Sequence, residues 1–260
     1  MHETHVTKLL DRLAPTDLVL DVGGWACPFN RAQWILDAQP YDSRGFYRTF
    51  GGPPSQGGDR EWFTRETWVQ HDICSSDPWP FTDKQFDFAI CSHTLEDLRD
   101  PLRVCRELNR VAKAGYIEVP SRLHESIMGL ERPGQVGLSH HRWLIEIAGN
   151  HIRFMQKYHM IHADWRFHIP HSYRSRITPD AAIACLWWDN SFTYEEVEVY
   201  GVPAQERELA EFVQKAFPRP EWTHRVHAAV RGMKSLVRRG RSWFTRKVLR
   251  GAAETSAERR

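Results

Sequence analysis

Between Leu18 and His93 four apolar runs each end on an acid, a glycine turn or a polar pair: LVLDV before Gly23-Gly24, QWILD at Asp37, TWVQHD at Asp72, and FDFAICS before His93. Continuous apolar runs closed by turn residues read as strands buried on both faces, the habit of a parallel sheet. DPLRVCRELNRVAK, an amphipathic helix opened by proline, and AGYIEVPS, a glycine-led strand, follow. Strand, helix and strand with short connections imply right-handed crossovers. The expected fold is a doubly wound α/β core over residues 15–121, and 260 residues accommodate one such core with an appendage.

The flanks are less regular. VTKLLDRL has helical spacing, so residues 4–13 read as a short helix. RWLIEIAGNHIRFMQK alternates on both sides of Gly149-Asn150 and predicts a hairpin; CLWWDNSFTYEEVEVY predicts a second, turning at Asp189-Asn190. QERELAEFVQKAF reads as a helix. The expected division is a domain over 1–200, comprising the core and an elaboration over 122–200, and a helical basic extension over 201–260.

Five cysteines without a C-x-x-C pair argue against a disulfide framework or zinc site and for a reducing cytoplasm. The first turns carry charge and show no apolar leader run. Net charge is only +2, but Thr223–Arg250 holds nine Arg or Lys and no Asp or Glu. There Val226, Val230, Met233 and Val237 recur at helical spacing, and Trp243 and Phe244 follow. A basic amphipathic helix over 224–250 would suit an anionic membrane surface, against the simpler reading of a helix packed on the domain. Nucleic acid is disfavoured because no aromatic stacking platform accompanies the charge.

In an open parallel sheet, ligands sit outside the strands' carboxyl ends where strand order reverses. Asp21 with Gly23 and Gly24, Asp37, Asp72, and Ser92 with His93 all fall there. Glycines admit a ligand close to the backbone, and carboxylates accept from ribose hydroxyls or an adenine amino group. No G-K-[ST] or G-x-G-x-x-G supplies a phosphate clamp, so adenosine without pyrophosphate fits best.

The ordered set HDICSSDPWPFTDKQFDFAICSHTLEDLRDPLRVCRELNRVAKAGYIEVPS resembles the central half of class I S-adenosylmethionine-dependent methyltransferases. The resemblance covers roughly residues 16–121 and implies their Rossmann-like αβα sandwich. It also implies that Asp21, Gly23 and Gly24 line the methionine part of the cofactor and that Asp37 holds the ribose. Asp72 and Ile73 would flank the adenine, and Ser92 and His93 would stand beside the methyl donor.

The family's glycine loop departs here, with Trp25 and Cys27 at glycine positions and Pro28 in a connection of sixteen residues from Asp21 to Asp37. A shortened loop with little helix behind it is expected, with Trp25 near the cofactor. His93, His124, Glu125, His140 and His141 are candidate bases, each against the plainer reading of a hydrogen-bonded loop residue. No metal is expected, since HADWRFHIPH and SHHRW lack a familiar ligand spacing. SDPWPF resembles the clamp of amino-methylating nucleic-acid enzymes but precedes the fourth strand instead of following it. GGPPSQGG reads as a surface loop near enough to the crevice to serve as a lid. The expected activity is methyl transfer, with oxygen as the target, to a polar small molecule or a glycan or lipid-linked acceptor chosen by residues 122–200. The alternatives are a non-catalytic scaffold and an RNA-associated enzyme held by its tail.

Overall fold

Strand residues that alternate between two apolar layers build the centre of the protein. The computed structural model describes residues 1–220. Met1–Val213 form one compact unit and a second begins at Gln214. In chain order the elements are α1 (Glu3–Arg12), β1 (Val19–Val22), β2 (Trp34–Asp37), β3 (Trp68–Gln70), β4 (Phe86–Ser92), α2 (Pro101–Val111) and β5 (Ala112–Pro120). Then follow α3 (Arg122–Glu125), β6 (Trp143–Ala148), β7 (His151–Gln156), α4 (Pro179–Ala182), β8 (Ile183–Asp189), β9 (Thr193–Glu196) and α5 (Val202–Ala216).

The main sheet runs β3-β2-β1-β4-β5-β8, with β8 antiparallel on β5 and every other pair parallel. Strand order reverses between β1 and β4, so the expected switch point exists. Leu20, Val22, Ala89, Cys91 and Ile117 face one layer with Val104, Cys105 and Leu108 of α2. Val19, Ile35, Phe88, Ile90 and Tyr116 face the other, with Leu9 and Leu13 of α1 and with Phe29 and Phe63 from the connections. Each fully buried side chain of this size contributes about 1.5–3 kcal/mol. The start of α2 is fixed by Asp100, whose carboxylate accepts from the Arg103 amide at 2.9 Å, and by Pro101 in the first helical position.

The connections on the β1–β3 side carry 3₁₀ turns, at Gly24–Ala26, Tyr41–Ser43 and Phe46–Phe50, in place of α-helices. The shortened loop after β1 is therefore as expected, and aromatic side chains fill the layer that crossover helices would occupy. On the opposite face a second sheet of order β6-β7-β9 supplies the cover. The β6–β7 hairpin turns through Gly149 at φ +58°. Its Ile145, Ile152 and Phe154 join the α2 layer, while Leu144 and Met155 pack outward on Val136, Ile161, Phe167 and Leu209.

The expected second hairpin does not form. The chain does turn after Asp189, with Asn190 at φ +66°, but β8 stays in the main sheet and β9 runs parallel to β7 in the small one. The cause is burial on both faces of β8: Leu186 and Trp188 point into one layer, Cys185 and Trp187 into the other. Past the turn, Asn190 donates to the Lys113 carbonyl at 2.7 Å, and Phe192 is buried. Thr193 then donates to the Asn150 carbonyl at 3.0 Å, which starts β9 beside β7.

Trp79 of SDPWPF is a core residue, 2% exposed, whose indole N–H donates to the Ile73 carbonyl at 3.1 Å. The predicted helix after residue 200 is α5. The proposed basic helix over 224–250 lies outside the described residues. Among the described residues no helix is long and apolar enough to cross a membrane.

Candidate active site at the switch point

A cavity of about 230 Å³ opens where strand order reverses. Asp21 near the end of β1 with Gly23 and Gly24 behind it, and Ser92 at the end of β4 with His93 behind it, line it together with Cys27, Tyr47, Pro53, Gln56 and Met1. Five of the nine expected cofactor residues thus meet on one wall. Trp25, Asp37, Asp72 and Ile73 are not on it.

Gly23 sits at φ +77°, and a Cβ there would run into the Thr94 hydroxyl; a Cβ on Gly24 would meet the Asp21 carboxylate. Both glycines are required by space, and Gly23 also by backbone conformation. Gly23→Ala is expected to destabilise the protein by about 1–3 kcal/mol, read as a lowered melting temperature in thermal denaturation.

Asp21 is buried, and its Oδ2 accepts from the Phe29 amide at 2.9 Å. Burial pushes its pKa up to about 7, against the Phe29 hydrogen bond and with help from Asp37. The Asp37 carboxylate accepts from the Trp25 amide at 3.1 Å and the Gln39 amide at 2.8 Å. It therefore acts on the cavity indirectly, by holding the 3₁₀ turn that follows Gly23.

The Trp25 ring is engaged within the protein and is not on the cavity wall. It stacks on Phe46 with centroids 4.6 Å apart, and its indole N–H donates to the Ser43 carbonyl at 2.8 Å. The insertion between β2 and β3 offers this residue an aromatic partner that the loop's own sequence does not show. Asp72 is half exposed, pairs with Arg99 at 2.7 Å and accepts from the Cys74 amide, while Ile73 is buried in the core.

GGPPSQGG supplies Pro53 and Gln56 to the cavity wall. Gln56 is pinned: its amide donates to the Pro28 carbonyl at 3.0 Å and its side chain to the Cys27 carbonyl at 2.9 Å.

His93 has φ +52°, a rare conformation for a side-chain-bearing residue, and its amide donates to the Glu118 carbonyl at 2.8 Å. Its Nε2 lies 3.0 Å from Glu118 Oε1, and its Nδ1 lies 3.6 Å from Glu96 Oε1. Burial alone would lower its pKa, but the hydrogen bond to Glu118 and the nearby Glu96 carboxylate outweigh it and raise the value to about 9. His93 is an imidazolium at neutral pH. A protonated ring has no free lone pair to take a proton, which weighs against His93 as the base.

Glu118 is the residue the sequence reading missed. It is fully buried and gathers His93, the Tyr116 hydroxyl, the His2 amide and His5 Nδ1. Burial would raise its pKa, yet the bonds from His93 and Tyr116 hold the carboxyl far below its ordinary range. The signal was present in GYIEVP, where one acid interrupts a run that is otherwise apolar.

Of the other candidate bases, His141 Nδ1 lies 2.8 Å from Glu125 Oε1, a bond that outweighs burial and raises its pKa. His140 is exposed. His124, in α3 beyond β5, is shifted down by burial, and its buried Nδ1 has no partner. That shift favours the neutral imidazole at His124. Glu125, 1% exposed, is bound to both His141 and Lys157.

In a doubly wound sheet the crevice at the switch point is where ligands sit, and here it is glycine-lined and acid-bearing. Residues 55–117 match the family model described as a methyltransferase domain. The match covers about a quarter of the chain, and the sheet order is that of a doubly wound, Rossmann-like α/β fold.

Among solved structures it is similar to a candidate methyltransferase of Bacillus halodurans, with 21% identity and TM-score 0.30 over 45% of this chain and 52% of that one. It is also similar to an S-adenosylmethionine-dependent methyltransferase of Methanosarcina mazei, with 17% identity and TM-score 0.33 over 47% and 59%. A third, from Aquifex aeolicus, shares 20% identity with TM-score 0.28 over 45% and 64%. The aligned part is thus about half to two thirds of each of those proteins. No curated protein matches the sequence significantly.

Proposed function

We propose that this protein transfers a methyl group from S-adenosylmethionine to a polar acceptor, through an acceptor oxygen. The observation that carries this reading is the cavity wall itself. Asp21, Gly23 and Gly24 come from β1, Ser92 and His93 from β4, and the buried Ser92 hydroxyl has no partner within the protein. An orphaned buried hydroxyl fits a polar ligand, because leaving it unpaired costs about 1–3 kcal/mol.

When bound, the cofactor supplies an electrophilic methyl on a sulfonium. The protein's share is to bind, to orient and to move one proton. Gly23 and Gly24 give the ligand access to the backbone. The His93 imidazolium, fixed by Glu118, suits the cofactor's carboxylate. Asp21 supplies the negative charge that suits its cationic groups. His124 accepts the acceptor's proton in its neutral form, and residues 122–200 admit the acceptor.

The test is titration calorimetry with S-adenosylmethionine across pH. A cation beside Asp21 favours the ionised carboxylate, so affinity should rise as pH passes the value of about 7. Between pH 6 and pH 8 the gain is about tenfold, and Asp21→Asn flattens it. Absence of binding at any pH would remove the reading, and a flat wild-type profile would remove Asp21 from it.

A further inference from the structure

Outside the cavity, the turn after β4 and the segment leading into β6 bring three metal-type donors together. The ligand atoms of Asp97, His140 and His141 lie within 4.8 Å of one another. We propose that these three residues form a binding site for a divalent transition-metal ion of the zinc class, independent of whether the cavity binds a nucleoside.

Three observations carry it. The first is the donor set: two imidazoles and a carboxylate suit Zn²⁺ and its neighbours, and three protein ligands leave coordination open for water or an acceptor oxygen. The second is what stands behind His141. Its Nδ1 is engaged by Glu125 Oε1 at 2.8 Å, and Glu125 is itself held by Lys157 Nζ at 2.7 Å. That carboxylate–histidine arrangement places the Nδ1 proton and turns Nε2 toward Asp97, whose Oδ1 is 3.8 Å away. Ligating histidines are oriented by the same device. The His141 side chain is 6% exposed, so this geometry is built into the interior and not left to a mobile surface ring.

The third is backbone registration. The Glu96 carbonyl accepts from the Arg142 amide at 2.7 Å and the Trp143 amide at 3.3 Å, which ties the two ligand-bearing segments beside the ligands themselves. A tetrahedral ion with ligand bonds of about 2.0–2.2 Å holds its donors about 3.4 Å apart, so the cluster must contract by about 1.4 Å at most. Asp97 and His140 have the freedom to do so, with side chains 44% and 55% exposed. One ion would thus cross-link the β4 turn, four residues on from His93, to the acceptor-side segment.

The experiment uses untagged, metal-stripped full-length protein titrated with Zn²⁺ by calorimetry and with Co²⁺ by visible absorption. The expected result is one equivalent bound and the intense spectrum of low-coordinate Co²⁺ with histidine ligands. His140→Ala and Asp97→Asn, both at exposed positions and checked by wild-type melting, should each weaken binding by more than about tenfold, the lower end of what even outer-shell changes produce. No uptake by the wild type, an octahedral aquo-type Co²⁺ spectrum, or affinity undiminished in both folded variants would overturn the site. None of these readouts depends on methyl transfer.

Discussion

Replacing Asp37 with alanine is expected to lower the affinity for S-adenosylmethionine by about 100-fold, or roughly 2.7 kcal/mol, although the side chain is not on the cavity wall. The carboxylate accepts from the Trp25 and Gln39 amides at 3.1 and 2.8 Å. Removing it leaves two amides seeking partners, at a cost of about 1–3 kcal/mol for each that stays buried. A full α-helix after β1 would hold the glycine turn through its own hydrogen-bond ladder, but here only a 3₁₀ turn, Gly24–Ala26, follows. Asp37 is therefore a side-chain anchor of the segment that carries Gly23 and Gly24, beside the bond from the Gly23 amide to the Leu36 carbonyl at 2.9 Å.

Asp37→Asn keeps an acceptor oxygen for one amide only and should fall between wild type and Asp37→Ala. Calorimetry gives the affinity. Melting gives the accompanying loss of stability, about 4–8 °C for roughly 2 kcal/mol in a domain of this size. Wild-type affinity in a folded Asp37→Ala protein would show that the cavity is not the cofactor site.

What could be read from the sequence follows from which interactions are local. β1 to β5 are legible because strands buried on both faces must be apolar throughout, and α2 because its cap, proline and apolar stripe all lie within the helix. The pairing of β8 is not legible: Asp189-Asn190 marks a turn correctly, but nothing in CLWWDNSFTY states that β5 and β7 offer better partners than the two halves offer each other.

The site divides in the same way. Gly23, Gly24, Asp21, Ser92 and His93 are legible as strand-end residues of adjacent parallel strands. The packing of Trp25 is not legible because its partner Phe46 comes from a later insertion. The charge of His93 is set by Glu118, 3.0 Å away in space but on another strand. No familiar spacing announces the Asp97, His140 and His141 cluster, because its ligands come from separate segments joined only by the fold.

The largest effect on stability is expected from Glu118→Gln. The carboxylate is fully buried and serves the His93 imidazolium, the Tyr116 hydroxyl, the His2 amide and His5, so its charge is what pays for burying that group of donors. Breaking a buried ion pair from one side costs about 3–5 kcal/mol. A melting temperature lower by about 6–20 °C is expected near pH 6.

The pH dependence has a definite sign. His93 is raised from 6.5 to about 9, so its pairing contributes fully below about 6.5 and is lost as pH rises through about 9. Glu118 is shifted the opposite way, so its contribution is present above its ordinary value of 4.5 and is lost only in strong acid. The difference in melting temperature between wild type and Glu118→Gln should therefore be greatest near pH 6 and shrink steadily toward pH 9.5. A difference that stays constant over that range would mean that His93 is not the group Glu118 holds charged. The imidazolium assigned to the cavity wall would then have to be given up, and His93 would return as a neutral candidate for the base.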